Sequence, residues 1–369
     1  MGKKKICLIR GDMNLAGGGQ RVAANLANEF CEKYEVHFIS FNTMRGTLFY
    51  KLDPRVIYTG RDFEGKRWRE IVLKNIRFLR RYLIKNKIDT AISVNATNTG
   101  IITSLACAGI PCKSVCCEHT NLANTYYSSR GEMLSRRIGS LLADRIVTLT
   151  KTDMKAYKEK FGTKEKKLCS IYNWIDDSLK DEEAVYNSES KKIMTVGRLD
   201  RVKGYEWLVE AATKVLPEYP DWNWDIYGDW DGNEEYKREI ETLIKAKDLQ
   251  GRVNLMGKVN DLYRRYKDYS FYVMTSKFEG LPMVLLEAKQ KKLPIISFDC
   301  PTGPSEIIRD GIDGYLVEKG NIEALAQKIE TLICDRKLRE KFSEHSTENV
   351  YKFEKQTVLK QWIELIETI

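Results

Sequence analysis

Short apolar runs alternate with amphipathic helical patterns along most of the chain. Residues Lys5–Arg10 have the pattern of a buried strand, which is followed by a glycine-rich loop and a helical pattern over 20–31. Further strand patterns, separated by helical stretches, lie at 36–40, 90–94, 113–117 and 145–149. This alternation predicts an α/β fold with a parallel sheet covered by helices on both faces.

The pattern then starts again after a polar, charged stretch at 176–192. The second series of strand patterns is IMTVGR, WDIYG, VNLMG, YSFYVMTS, LPIISFD and GYLVEKG. We therefore predict two Rossmann-like domains, at 1–178 and 179–350, followed by a last helix at 351–369. Ligands of open α/β sheets bind beyond the carboxyl ends of the strands, so we expect the chemistry in a cleft between two facing domains.

Composition agrees with a globular protein of about two domains. The 369 residues are 43% hydrophobic and 31% charged, and 61 Lys and Arg against 52 Asp and Glu give a net charge of +9. This charge favours an anionic partner, and phosphate, nucleic acid and acidic lipid all remain open. Because no apolar run approaches the length of a membrane span, we expect a cytoplasmic protein whose nine cysteines are free thiols.

A first candidate loop contains Gly17, Gly18 and Gly19, directly before a helical pattern. Glycine lets exposed backbone N–H groups approach an anion at the positive end of a helix. The same residues are equally typical of a plain flexible turn, and the spacing is not that of a dinucleotide-binding fingerprint. Both interpretations stay open at this point.

A second candidate loop, VGRLDRVKG, follows the first strand pattern of the second domain. Its Arg198 offers a forked guanidinium and its Lys203 a compact ammonium, which together suit a diphosphate. Two solvated surface cations are the alternative. The position of both residues on a strand-to-helix loop favours the diphosphate.

A third candidate is SKFEGLPMVLLEAK, where Pro282 is expected at the first helical position. Glu279 then lies just before the helix and Glu287 lies in its second turn. Carboxylates near a helix start are often simple dipole partners. Two of them beside exposed backbone donors also suit the hydroxyls of a sugar and a ribose, with the N–H groups receiving phosphate oxygens.

Taken together, GGGQR, GRLDRVKG and FEGLPMVLLEA resemble family 4 of the retaining glycosyltransferases, which have the GT-B fold. The last element is similar to the E-x7-E signature of that family. The resemblance covers nearly the whole chain, with IYGDWDGN in the position of a nucleotide-binding loop. It implies that the last helix, at 351–369, packs back on the first domain. Trp230 stands there in place of the usual small residue, and the DWD triplet resembles a metal-binding DxD motif although the family pattern is metal-independent.

The resemblance implies a role for each motif residue. Arg198 and Lys203 would neutralise the donor diphosphate, Glu287 would bind the ribose, and Glu279 would hold the transferred sugar. His119, in CCEHTNL, would meet the donor sugar from the first domain. The remaining donor-binding residues implied by the resemblance are Gly18, Gly19, Gly197, Gly228, Gly280, Leu281 and Pro282.

The expected activity is retaining transfer of a hexose or N-acetylhexosamine from a nucleotide-diphosphate sugar, preferably a UDP-sugar, without a metal or other cofactor. The acceptor would be a glycan or a polyprenyl-linked glycan at the inner face of the cell membrane. The helical pattern at 66–87 carries an apolar stripe that predicts core packing and basic faces that suit either solvent or anionic lipid.

Three alternatives remain. A sugar-nucleotide epimerase or a phosphorylase would share the two-domain architecture, although no lysine anchor for pyridoxal phosphate is evident. An inactive transferase that acts as a glycan-binding subunit would have lost Arg198, Lys203 or Glu279, and all three are present. Nucleic-acid binding ranks lowest, because no motif interleaves aromatic and basic residues.

Overall fold

The computed structural model describes residues 2–14, 17–41, 48–61, 68–122, 129–175, 185–229 and 232–369. The chain divides into two compact units. The N-terminal unit comprises Met1–Tyr172 and Lys360–Ile369, and the C-terminal unit comprises Asn173–Leu359. The boundary expected near residue 178 lies outside the described residues.

The N-terminal unit is built on a parallel sheet. In chain order its elements are β1 (Lys5–Arg10), α1 (Gly18–Phe30), β2 (Glu35–Phe41), β3 (Ile57–Arg61), α2 (Trp68–Asn86), β4 (Thr90–Ser93), α3 (Asn98–Cys107), β5 (Lys113–Glu118), α4 (Arg130–Leu142), β6 (Arg145–Thr148), α5 (Lys151–Phe161) and β7 (Leu168–Ser170). The spatial order of the strands is β3-β2-β1-β4-β5-β6-β7. Chain order reverses between β1 and β4, and this is the point of a doubly wound sheet where ligands bind.

The C-terminal unit repeats this design. Its elements are β8 (Lys192–Val196), α6 (Tyr205–Val215), β9 (Asn223–Tyr227), α7 (Glu234–Ala246), β10 (Val253–Gly257), α8 (Leu262–Arg265), β11 (Phe271–Met274), α9 (Met283–Gln290), β12 (Ile295–Asp299), α10 (Pro304–Ile307), β13 (Gly314–Glu318), α11 (Ile322–Cys334), α12 (Arg336–His345) and the first residues of α13 (Lys355–Thr368). The strand order is β10-β9-β8-β11-β12-β13, and the reversal falls between β8 and β11.

Both sheets are parallel throughout the described residues, which confirms the predicted pair of Rossmann-like α/β sheets. Parallel strands covered on both faces are buried along their whole length. The central strands β4 and β11 follow this rule, since every residue of each is buried. The edge strands β3 and β7 are less buried, and the apolar pattern did not predict either of them.

Helix α13 begins in the C-terminal unit and ends in the N-terminal unit. Within the N-terminal unit, its Trp362 lies edge-on to Phe30 of α1, with ring centroids 6.0 Å apart. The main-chain oxygen of Ile366 accepts a hydrogen bond from Lys4 Nζ at 2.5 Å. The N-terminal unit is therefore assembled from both ends of the chain.

Helix α2 packs its apolar stripe into the core, as the sequence predicts. Val72, Leu79 and Leu83 are buried in the cluster that also contains residues of β1, β2 and α3. Across the described residues, no helix combines the length and apolar character that a membrane span requires. All nine cysteines are free thiols, as expected, and most are buried.

Candidate active site

In the C-terminal unit, the loop after β8 and the loop after β11 meet at the reversal point of the sheet. The main-chain N–H of Lys277 donates to the Val202 carbonyl at 2.7 Å. The Thr275 hydroxyl donates to the Lys203 carbonyl at 2.9 Å. Gly204 has a φ of 65°, and a Cβ at this position would overlap the Thr275 carbonyl. The two loops are thus held together by backbone contacts that only glycine at position 204 permits.

This arrangement brings together two of the predicted site residues. Lys203 Nζ lies 2.7 Å from Glu279 Oε1, and the two side chains are 22% and 11% exposed. An ammonium group has three N–H donors, and the carboxylate occupies one of them. The pair therefore fixes the direction of the lysine while leaving donors for an incoming anion.

Arg198 is exposed on the same loop, and within the described ranges no carboxylate pairs with its guanidinium. The loop that carries it runs against the loop after β9. Gly228 has a φ of 156°, its N–H donates to the Gly257 carbonyl at 3.0 Å, and a Cβ there would overlap the Gly197 carbonyl. The close approach of two backbones explains the glycine in the predicted nucleotide loop. Trp230 and Asp231 lie outside the described residues.

The FEGLP segment leads into α9, but the helix begins one residue later than the sequence predicts. Pro282 was expected at the first helical position, but its ψ of 99° is extended, so it precedes the helix and Met283 begins it. Gly303 has a φ of 97°, and a Cβ there would come within 2.7 Å of the Gly280 carbonyl and 2.5 Å of Pro282 Cδ. A second loop therefore braces the segment, and the Thr302 hydroxyl donates to the Glu279 carbonyl at 2.5 Å.

Glu287 lies in the second turn of α9, as predicted, and is 6% exposed. The Tyr266 hydroxyl donates to its Oε2 at 3.3 Å, and burial raises the pKa of this tyrosine. Two residues later, Lys289 is buried against Asp313, with 2.7 Å between Nζ and Oδ2. Burial lowers the pKa of Lys289 to about 8. This ion pair anchors the helix that carries Glu287.

In the N-terminal unit, helix α1 begins earlier than the pattern predicts. It starts at Gly18, so Gly18 and Gly19 belong to its first turn rather than to the preceding loop. Apart from the helix backbone itself, no described atom lies within 4 Å of a Cβ placed at Gly18. The amide groups of this first turn have no intrahelical partners, and they form the positive end of the helix.

His119 follows β5 at the same edge of this sheet. Both of its ring nitrogens are buried without a hydrogen-bond partner in the part of the chain that the structure describes. Burial, together with the nearby charge of Arg10, lowers the pKa of His119 to about 3. The imidazole is therefore neutral at pH 7, and it offers one donor and one acceptor to a ligand.

The residue before His119 is held in place by several hydrogen bonds, and sequence reasoning missed it. Glu118 is buried and accepts hydrogen bonds from Arg136 Nε at 2.7 Å, the Tyr157 hydroxyl at 2.7 Å and the Thr120 N–H at 3.0 Å. The available signal was a carboxylate at the end of an otherwise apolar strand, CCE. Arg10, at the end of LIR in β1, gives the same signal and was also missed.

Comparisons with known proteins identify the class first. Over its whole length the chain superposes on the structure of Anabaena HepE in complex with UDP and glucose, with a TM-score of 0.82 and 17% identity over 100% of both chains. The two Rossmann-like sheets and this match show the GT-B fold. The predicted fold class is thus confirmed.

Family membership follows from the sequence matches. The model for glycosyl transferases group 1 matches residues 176–349, and the model for Glycosyltransferase Family 4 matches residues 16–179. An uncharacterized glycosyltransferase of Haemophilus influenzae is 30% identical over 97% of this chain and 99% of its own length. An α-1,4-N-acetyl-D-galactosaminyltransferase of Campylobacter jejuni, whose name gives a GalNAc-GalNAc-diNAcBac-PP-undecaprenol as its substrate, is 28% identical over 99% of both chains. The chain belongs to glycosyltransferase family 4, and it is a glycosyltransferase enzyme.

The depressed pKa of His119 predicts a specific loss of stability in acid. The folded protein takes up this proton near pH 3 and the unfolded chain near pH 6.5. Between these values the unfolded state binds more protons, so stability falls as pH falls. Between pH 6 and pH 5, we expect the free energy of unfolding to fall less in His119→Gln than in wild type, with a difference of about 1 kcal/mol. Urea unfolding at several pH values measures the difference.

His345→Gln is the matched control, because His345 lies at the surface beside Glu348. It should keep the steep acid loss of the wild-type protein. Parallel stability curves for wild type and His119→Gln between pH 6 and pH 5 would contradict a neutral, buried imidazole.

Proposed function

We propose that the protein is a retaining glycosyltransferase that moves a hexose or N-acetylhexosamine from a UDP-sugar to a glycan or a lipid-linked glycan. The observation that carries this proposal is the Lys203–Glu279 pair at the reversal point of the C-terminal sheet, with an exposed Arg198 on the same loop as Lys203. The UDP and glucose bound in Anabaena HepE and the undecaprenol-linked substrate in the name of the Campylobacter relative support the donor and acceptor classes. We infer a role in the assembly of surface polysaccharide or glycolipid.

The proposed chemistry follows from charge. Cleavage of the bond between the sugar C1 and the β-phosphate oxygen builds negative charge on the departing nucleoside diphosphate. Arg198 and Lys203 would stabilise this charge directly, in the place of a metal ion. The new bond from C1 to the acceptor oxygen forms on the same face of the sugar, and the acceptor proton passes to the departing phosphate oxygen.

The other site residues have positioning roles in this proposal. Glu279 accepts hydrogen bonds from sugar hydroxyls while it keeps Lys203 aimed at the phosphate. Glu287 binds the ribose, and the amides of the segment from Gly280 to Pro282 receive phosphate oxygens. His119, which is neutral, exchanges a hydrogen bond with a hydroxyl of the donor sugar. Gly18, Gly19, Gly197 and Gly228 allow the backbone to approach the donor closely.

Replacing the two cations tests the donor site. We expect Lys203→Met and Arg198→Met each to lower kcat/KM by roughly a hundredfold to a thousandfold, as for other electrostatic donors in active sites. Each variant should also reduce the rise in melting temperature that UDP produces. Steady-state kinetics and thermal shift with a panel of UDP-, GDP- and ADP-sugars measure both effects.

Two controls separate this effect from misfolding. Lys191 directly precedes β8, so it lies at the amino ends of the strands, away from the candidate site, and it pairs with Asp221. Lys191→Met should therefore leave turnover unchanged. The double variant Lys203→Met with Glu279→Gln removes both members of the pair and leaves no unpaired carboxylate. Near-wild-type turnover in Lys203→Met would reject the proposed role.

Metal independence and retention are tested together. Because two fixed cations replace the ion, we expect enzyme treated with EDTA to keep its full turnover. Same-face attack predicts that the product keeps the anomeric configuration of the donor, which the coupling constant of the anomeric proton measures by NMR. Activity that returns only with an added divalent ion, or a product of inverted configuration, would contradict this mechanism.

We also propose a peripheral contact with anionic membrane at its cytoplasmic face. The exposed side of α2 carries Lys74, Arg77, Arg81 and Lys85. Leu73 and Ile84, on the same helix, are each 55% exposed. Basic residues with nearby apolar side chains suit a charged lipid surface, where each cation contributes about 1 kcal/mol.

Liposome flotation tests this contact. At low salt we expect the protein to float with phosphatidylglycerol vesicles and to remain behind with phosphatidylcholine vesicles. Changing the four basic residues of α2 to Gln should abolish flotation. The control changes four exposed lysines of α5 to Gln, namely Lys151, Lys155, Lys158 and Lys160. Equal flotation of both variants would reject α2 as the contact.

A further inference from the structure

Arg10 ends β1 at the reversal point of the N-terminal sheet, where its side chain is half-buried. Its Nη1 donates to the carbonyl of Val94, the residue that follows β4. Within the described ranges no carboxylate pairs with this guanidinium. Burial lowers the pKa of Arg10 to about 10, which still leaves it charged at neutral pH.

Among the described residues, the groups around Arg10 leave room for it, and no carboxylate forms an ion pair with it. Gly19, in the first turn of α1, faces the guanidinium so closely that a Cβ there would lie 2.9 Å from its Cζ. His119 is near enough that the arginine charge lowers its pKa, and both its ring nitrogens are buried and unpartnered among the described residues. A cation, an imidazole and the positive end of α1 thus converge on one region.

This arrangement is energetically costly in the absence of a ligand. Removing an arginine charge from water is unfavourable unless an opposite charge compensates it. A single hydrogen bond to a neutral carbonyl does not compensate the charge, and the amide end of a helix adds further positive potential. An anion that binds here would meet a forked cation, unpaired backbone donors and a hydrogen-bonding imidazole at once.

We propose that Arg10 is the cation of the N-terminal unit that binds a phosphate group of a substrate. The inference rests on the proposed function and extends it, because the donor residues Arg198 and Lys203 belong to the C-terminal unit. The phosphate belongs either to the nucleotide donor or to a phosphorylated acceptor. Both sources present the same anionic oxygens, so binding measurements must distinguish them.

Stability without ligand is the first measurement. If Arg10 binds a ligand, its half-buried charge without a carboxylate partner among the described residues weakens the empty protein, and Arg10→Met should melt at the same temperature as wild type or higher. The control is Arg145→Met. Arg145 begins β6, at the amino ends of the strands, and it also donates to a main-chain carbonyl, that of Asp144. A marked loss of stability in Arg10→Met, with unchanged affinity for phosphate and UDP, would show that Arg10 only supports the Val94 carbonyl and would overturn the proposal.

The second measurement is the affinity for three probes, namely inorganic phosphate, glycerol 3-phosphate and UDP, by calorimetry and thermal shift. Sodium chloride at equal ionic strength serves as the control for a general salt effect. Arg10→Met should weaken phosphate binding by roughly tenfold to a hundredfold, as expected for lost hydrogen bonds to a charged group. Arg10→Lys should recover part of this loss. Arg145→Met should bind as wild type does.

The two sources give different results. Weaker UDP binding in Arg10→Met assigns the contact to the donor. Unchanged UDP binding with lost protection by glycerol 3-phosphate assigns it to the acceptor. Repeating the phosphate titration in a Lys203→Met background separates this site from the donor cations, because Arg10-dependent binding should persist there.

Failure of this inference is distinct from failure of the proposed function. Wild-type affinity of Arg10→Met for all three probes would overturn the inference, whereas the proposed transferase would still turn over its UDP-sugar. Conversely, phosphate binding that depends on Arg10 would stand even if no UDP-sugar were turned over.

Discussion

The candidate active site depends on the contact between two loops that are distant in sequence. One follows β8 and the other follows β11, and they join through a backbone hydrogen bond, a threonine hydroxyl and a glycine that has no space for a side chain. The parallel topology makes these two strands neighbours. The Lys203–Glu279 pair exists because of this contact. Its electrostatics are therefore a product of backbone packing, not of the side chains alone.

The two units differ in whether the cation at the reversal point of the sheet is paired with a carboxylate. In the C-terminal unit, Lys203 is paired with a carboxylate, which keeps the lysine in place at little cost. In the N-terminal unit, Arg10 has no carboxylate partner in the part of the chain that the structure describes, and the low pKa of the nearby His119 keeps that residue neutral. Similar Rossmann-like sheets therefore present a compensated cation in one unit and an uncompensated cation in the other. Sites that are strained in this way commonly exchange stability for binding.

Much of the fold was predictable from the chain, because buried parallel strands are continuous apolar runs. Strands β1, β4, β5 and β12 were visible for this reason. The edge strands β3 and β7 were not, since they are short and only partly buried. The start of α1 was also misjudged, because glycine has a low helix propensity and yet occupies its first turn.

The candidate site was only partly predictable. Loops rich in glycine and charge indicated Arg198, Lys203 and Glu279, and the structure brings the last two into contact. The roles assigned to them remain predictions. Arg10 and Glu118 were not predicted as site residues, because a single charged residue at the end of a strand is usually expected to be solvent-exposed. Their importance lies in partners that are distant in sequence, such as Arg136 and Tyr157 for Glu118.

The path of helix α13 has a consequence for synthesis of the protein on the ribosome. The N-terminal unit needs the last ten residues, Lys360–Ile369, to complete its packing around Phe30 and Lys4. Domains usually fold in the order of their translation. Here the second unit can be finished first, while the first unit waits until Lys360–Ile369 have left the ribosome.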